Sequence, residues 1–279
     1  MRTAHHIRAA LAAIPLAALG APPVHAVIVS GNAPLVAPNN AWVGYWNGSS
    51  CVAIGPSWFV SAKHVGGTVG GFVWLKGVAY QVIEVRPHPQ YDVQLLRVAE
   101  TLPGHHALNS AAALGDPVLL GGFGVTTLAP LPSSGGWDWN GPRQETWGAN
   151  VIEGEGALLT IRFDPPSASA SVPKEATFAV NDSGGGLFTI ASDGSLELAG
   201  IAVSVMNFGS APWYTTAFSL NTSLWRSWAG PIVDPNIPMS SGVGAPRAML
   251  AVPGLDAALG SALLTISLAS LRRRRPPRG

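Results

Sequence analysis

Apolar residues along this chain come in short runs, and glycine, proline or small polar residues close most of them. Cys51–Ile54 is stopped by Gly55-Pro56-Ser57, after which Trp58-Phe59-Val60 ends on Ser61 and Ala62. A further run, Val93 to Val98, opens directly after Asp92. Leu187-Phe188 follows three glycines, and Gly200 to Ser204 forms another short stretch. Runs of this length between turn residues predict β-strands. Only Leu220, Leu224, Trp225 and Trp228 fall at helical spacing, near the end of the patterned region. Composition agrees with this reading. The 279 residues are 47% apolar and 11% charged, with 33 glycines and 24 prolines. That is too apolar for disorder, too turn-rich for a helical bundle, and enough chain for one two-lobed domain.

The two ends read as addresses. Arg2 and Arg8 precede an apolar run from Ala9 to Gly20, and Val24-His25-Ala26 offers small residues at the cleavage positions of a secretory signal. Residues 1–26 are therefore expected to be a signal peptide, the folded domain to span 27–229, and a Pro/Gly/Ser linker to fill 230–252. A tail follows over 253–279: an apolar stretch from Leu255 to Leu271 and then Arg272 to Arg275. This tail is expected to be a membrane anchor or sorting signal, and it resembles C-terminal tails of the PEP-CTERM type, though without their Glu-Pro. Between Val27 and Val252 there are nine Lys/Arg against fourteen Asp/Glu, so no nucleic-acid partner is expected. Cys51 is the only cysteine, so no intramolecular disulfide forms; a buried structural thiol is expected.

Candidate chemistry lies at the ends of the predicted strands. His64 follows Ser61-Ala62-Lys63, Asp92 opens its strand, and Ser183 sits in the glycine-rich turn Asn181-Asp182-Ser183-Gly184-Gly185-Gly186. A serine hydroxyl becomes a nucleophile when a base lies within hydrogen-bond reach and an acceptor fixes the tautomer of that base. His64, Asp92 and Ser183 supply these three residue types. The glycines let the backbone turn tightly and approach a substrate closely. No metal or cofactor is expected: His105-His106 lies in a loop without carboxylate or cysteine neighbours. The ten tryptophans read as core and rim aromatics rather than a glycan platform, and the loop over 131–142 is expected beside the cleft.

These segments resemble the chymotrypsin/trypsin-like serine proteases. Ser61-Ala62-Lys63-His64 is similar to Thr-Ala-Ala-His, His88-Pro89-Gln90-Tyr91-Asp92-Val93 to His-Pro-x-Tyr-Asp-Ile, and Asn181-Asp182-Ser183-Gly184-Gly185 to Gly-Asp-Ser-Gly-Gly. Gly121-Gly122-Phe123-Gly124, Gly200–Ser204 and the segment Tyr214–Trp228 match further elements. The resemblance spans about Val27 to Trp228. It implies an all-β fold of two six-stranded antiparallel β-barrels with a short C-terminal helix, and an exported endopeptidase acting on protein or peptide substrates. His64, Asp92 and Ser183 would be its triad, and the backbone amides of Asn181 and Ser183 its oxyanion hole.

The resemblance also frames the departures. Cys51 occupies the place of a cysteine that in many members of the family bridges to the residue after the catalytic histidine; here that residue is Val65, so packing alone is expected to hold the His64 turn. Asn181 replaces a glycine, and asparagine tolerates left-handed backbone better than other side chains. The pocket positions implied are Thr177, Ser204 and Met206, which are uncharged and suit a small or medium apolar side chain. Asp182 is expected to pair with the α-amino group of Val27 once the signal peptide is removed. Competing readings are a surface-anchored binding or structural protein without turnover, and an esterase.

Overall fold

The computed structural model describes residues 27–234, apart from 32, 33, 110, 134, 207 and 208. The expected signal peptide, most of the linker and the C-terminal tail lie outside the described residues.

Six strands close the first barrel: β1 (Val43–Trp46), β2 (Ser49–Gly55), β3 (Trp58–Ser61), β4 (Phe72–Leu75), β5 (Val78–Pro87) and β6 (Gln94–Val98). They run in the order β1-β2-β3-β6-β5-β4, and β4 returns to pair with β1. Two of the hairpins turn on two residues each, Asn47-Gly48 and Lys76-Gly77, with φ of 43°, 84°, 49° and 79°. Left-handed backbone at both central residues is the turn whose twist matches that of paired strands. Alternation then fills the interior: Cys51, Phe59, Val73, Leu75, Val82 and Leu96 point inward, whereas Phe72 and Trp74 remain about half exposed.

The second lobe is built from β7 (Pro117–Gly122), β8 (Thr146–Val151), β9 (Leu158–Arg162), β10 (Gly186–Ile190), β11 (Leu196–Val205) and β12 (Thr216–Asn221). Their order is β8-β7-β10-β11-β12-β9, every neighbour antiparallel. Six strands were expected in each lobe, and six form this path; unlike the first, however, it is an open half-barrel. A single bridge, Gly154 to Thr160, ties the segment after β8 back to β9. Side chains occupy the rest of the seam. The Asn150 amide donates to the Arg162 carbonyl (2.9 Å) and to the buried Glu175 carboxyl (2.9 Å), whose pKa burial pushes up to about 8.

An apolar layer joins the lobes, with Trp58 and Val60 of the barrel meeting Leu119, Trp147, Phe188 and Ile201. The rings of Trp147 and Phe188 stack at 5.3 Å. Helix α1 (Arg226–Val233) closes this layer with Trp225, Ala229 and Val233. It continues past the expected domain limit at residue 229, and Val233 packs against β2 at Gly55, where a side chain would collide with it. Among the described residues, no helix is long and apolar enough to cross a membrane.

His106 is a polar tie within this layer. Its Nε2 accepts the Trp42 amide hydrogen (3.0 Å), its Nδ1–H donates to the Leu196 carbonyl (3.2 Å), and its ring lies 4.6 Å from that of Phe188. The Nε2 bond needs the neutral ring, whereas the Nδ1–H bond survives protonation, and burial lowers the ring's pKa to about 4. A depressed histidine contributes stability that is complete above the ordinary value of 6.5 and is lost as pH falls towards 4. We expect this contribution to be on the order of 3 kcal/mol. Urea unfolding of wild type and His106→Gln at pH 7 and pH 4.5 measures it. The wild type should lose clearly more stability on acidification than the variant; equal losses would show that His106 does not carry the dependence.

Candidate active site

The site straddles the cleft between the lobes. β3 ends at Ser61, and Lys63–Val65 then form a single 3₁₀ turn that holds His64 at the rim. Asp92 comes from the loop between β5 and β6. His88 shapes this loop: its Nδ1 accepts the amide hydrogens of Gln90 (3.1 Å) and Tyr91 (3.0 Å), and its ring sits edge-on against Trp228. Asp92 Oδ1 accepts the His64 backbone amide hydrogen (2.8 Å), and Oδ2 accepts from His64 Nδ1 (2.6 Å). The hydrogen bond to Asp92 raises the His64 pKa against the effect of partial burial. Burial pushes Asp92 upward, but hydrogen bonds from the His64 side chain and backbone outweigh it and leave the carboxyl below its usual range.

With no disulfide available, side-chain hydrogen bonds secure the His64 turn. Trp46 Nε1 (3.0 Å) and Gln94 Nε2 (2.8 Å) both donate to the Gly66 carbonyl, and Asn47 Nδ2 donates to the Val65 carbonyl (2.7 Å). Packing alone was expected; the polar part was missed because these three partners lie 18 to 28 residues from the groups they bind. Gly67 permits the arrangement, since any side chain there would collide with the Trp46 ring. Cys51 is fully buried in the barrel core, and that burial raises its thiol pKa far above the ordinary value.

Ser183 belongs to the second lobe. Its Oγ lies 2.7 Å from His64 Nε2. Because the His64 Nδ1 hydrogen goes to Asp92, Nε2 is left as the acceptor for the serine hydroxyl. Two features tie the serine loop to β2: Ser50 N donates to the Ser183 carbonyl (3.0 Å), and Ser49 Oγ donates to the Asn181 carbonyl (2.8 Å). Gly184, at φ 82°, is required by contact as well as by conformation; a Cβ there would strike the Ser50 carbonyl oxygen and the Ser61 hydroxyl. Asn181 has φ 70°, a left-handed conformation that costs a non-glycine residue about 1 kcal/mol. The amide hydrogens of Asn181 and Ser183 have no acceptor among the described residues, and both residues line the cleft.

Asp182 is fully buried and accepts the amide hydrogens of Gly124 (2.7 Å) and Ala179 (2.8 Å). Burial raises its pKa to about 7 against these two bonds. Val27 is also fully buried, in the apolar cluster that includes Phe178 and Ala179, and the next residues pair Ile28 with Thr177 and Val29 with Ala176. In the uncleaved chain the Val27 nitrogen is a peptide nitrogen.

A cavity of about 480 Å³ opens beside Ser183. Phe178, Ala179, Val203, Ser204 and Val205 of the second lobe line it, together with Asn47, Gly48 and Val65 of the first. Of the three implied pocket residues, Ser204 lines this cavity, but Thr177 and Met206 do not. Thr177 is fully buried in its pairing with Ile28, and its neighbour Phe178 reaches the cavity instead. A β-bulge between Ala202 and Ser204 changes the register of β11. Val205 then faces the cavity, while Met206 is 55% exposed and its amide donates to the Thr216 carbonyl. The loop over 131–142 is anchored by a short antiparallel pair, Trp137–Asp138 with Ser210–Ala211.

No family model matches this chain, and no curated protein matches it. Among solved structures it is similar to neuropsin, a serine protease expressed in the limbic system of mouse brain. The TM-score is 0.54 at 15% sequence identity, over 71% of this chain and 97% of that one. Together with the closed barrel, the half-barrel and the single short C-terminal helix, this likeness makes the fold chymotrypsin-like.

Proposed function

We propose that this protein is a serine endopeptidase. The observation that carries the reading is the continuous chain from Asp92 Oδ2 through both ring nitrogens of His64 to Ser183 Oγ, at 2.6 Å and 2.7 Å. Ser183 Oγ attacks the scissile carbonyl as its proton passes to His64 Nε2, and Asp92 stabilises the imidazolium that results. The amides of Asn181 and Ser183 donate to the oxyanion. His64 then protonates the leaving amine, and the acyl-enzyme is hydrolysed by a water that His64 deprotonates in turn. Fluorophosphonate should label wild type at Ser183. Ser183→Ala should fold normally, as judged by its melting temperature, yet lose label and at least about a thousandfold in turnover. A folded wild type that takes no label would favour a binding role on the same fold.

The preferred side chain before the cut is small and apolar. Phe178, Ala179 and Val205 line the cavity and offer it no charge. Val205→Gly should therefore widen the preference towards larger apolar side chains in a peptide-library cleavage profile. An unchanged profile would assign specificity elsewhere.

Export and C-terminal attachment or sorting belong to the same proposal, and they rest on the sequence of the two ends. Cleavage after Ala26 frees the Val27 amine, and the buried Asp182 carboxyl has no cationic partner among the described residues. An ammonium drawn to Asp182 would lower the cost of ionising it. Protein beginning at Val27 should thus be more active than protein with extra residues before it. Equal activity would exclude this activation.

A further inference from the structure

Ser49 ends the Asn47-Gly48 hairpin at the start of β2, paired with Trp46. It is buried, and its hydroxyl points across the cleft into the other lobe. The Oγ proton is donated to the Asn181 carbonyl at 2.8 Å, and the Ser183 carbonyl lies 3.0 Å from the same oxygen. The hairpin carrying Ser49 is held from the second lobe as well, where Arg143 Nη1 donates to the Gly48 carbonyl (2.8 Å). Ser50 N fixes the Ser183 carbonyl. Both ends of the Asn181–Ser183 segment are thereby pinned to β2. Asn181, the first of these ends, has φ 70°, a conformation it would otherwise leave for the ordinary right-handed or extended regions. Such a rotation would carry its amide hydrogen away from the neighbouring Ser183 amide.

We propose that Ser49 is a positioning residue: its hydroxyl holds Asn181 in left-handed backbone and so keeps the two amides of the oxyanion site aimed at one point. This inference rests on the endopeptidase reading. Ser49 touches no reacting atom, and its effect passes through Asn181. Glycine at 181 would adopt φ 70° without strain and would need no such tie. The pairing of Asn181 with Ser49 is therefore one device in two parts.

The test compares Ser49→Ala and Ser49→Thr, each in wild type and in an Asn181→Gly background, using the full chain and a peptide amide substrate. Ser49→Ala should lower kcat about 10- to 100-fold and leave KM within about 2-fold, because an oxyanion donor acts on the transition state. Affinity for a peptide boronate, which forms a tetrahedral adduct on Ser183, should fall in parallel. Ser49→Thr keeps the hydroxyl and should stay within about 3-fold of wild type. In the Asn181→Gly background, Ser49→Ala should cost less than about 3-fold. Equal losses in both backgrounds, or a loss confined to KM with boronate affinity unchanged, would overturn the proposal. If Ser49→Ala melts below the assay temperature, Ser49→Cys, with similar volume and a weak donor, takes its place with the same expectations. Wild type that fluorophosphonate does not label at Ser183 would remove the endopeptidase reading and this inference with it. Labelled wild type with full activity in Ser49→Ala removes the inference alone.

Discussion

His64 and Ser183 come from different lobes, so the 2.7 Å contact between them depends on how firmly the lobes are joined beside it. That join is β2. Its first two residues hold the carbonyls of Asn181 and Ser183, and the Ser50 hydroxyl accepts the Phe123 amide hydrogen (2.8 Å). Its own Ser50 carbonyl is in turn bonded by the Ser61 hydroxyl (2.7 Å), two residues before the turn that bears His64. The strand thus links His64 and Ser183 through few covalent and hydrogen-bonded steps. Further along β2, the Ala53 carbonyl accepts the His106 amide hydrogen (2.9 Å), and His106 binds Leu196 of the second lobe.

This explains where the molecule tolerates no side chain. Gly184 must pass directly over Ser50 and Ser61, and Gly122 and Gly124 must admit the buried Asp182 carboxyl. Each of these glycines lies where one lobe or loop approaches another at backbone distance. The glycine-rich sequence around Ser183 therefore serves packing as much as flexibility. Asn181 is the exception, and its strain is offset by contacts that originate in the other lobe.

The first barrel and the three central residues were legible in the sequence because their signals are local. Apolar runs between turn residues mark the strands, and His64, Asp92 and Ser183 each sit in a short motif at a strand end. What was not legible depends on distant partners. A serine inside an apolar strand carries no local mark, and the Ser49–Asn181 bond spans 132 residues. The open seam of the second lobe is bridged by Asn150 and Glu175, which meet only in the folded chain. Of the implied pocket positions only Ser204 lines the cavity: Phe178 lies there rather than Thr177, and Val205, beyond the bulge in β11, rather than Met206. Registers counted along a strand fail wherever the strand is irregular.

The hydrogen-bonded fastening of the His64 turn also bears on the surroundings in which the protein can mature. A clamp made from Trp46, Asn47 and Gln94 forms with the fold itself and requires no oxidant, no disulfide isomerase and no particular thiol balance. The single thiol is enclosed in the barrel, where neither oxidants nor other cysteines can reach it without unfolding. Reductant and oxidant should consequently be matters of indifference to the native state, and the same geometry would assemble in a reducing compartment as in an oxidising one.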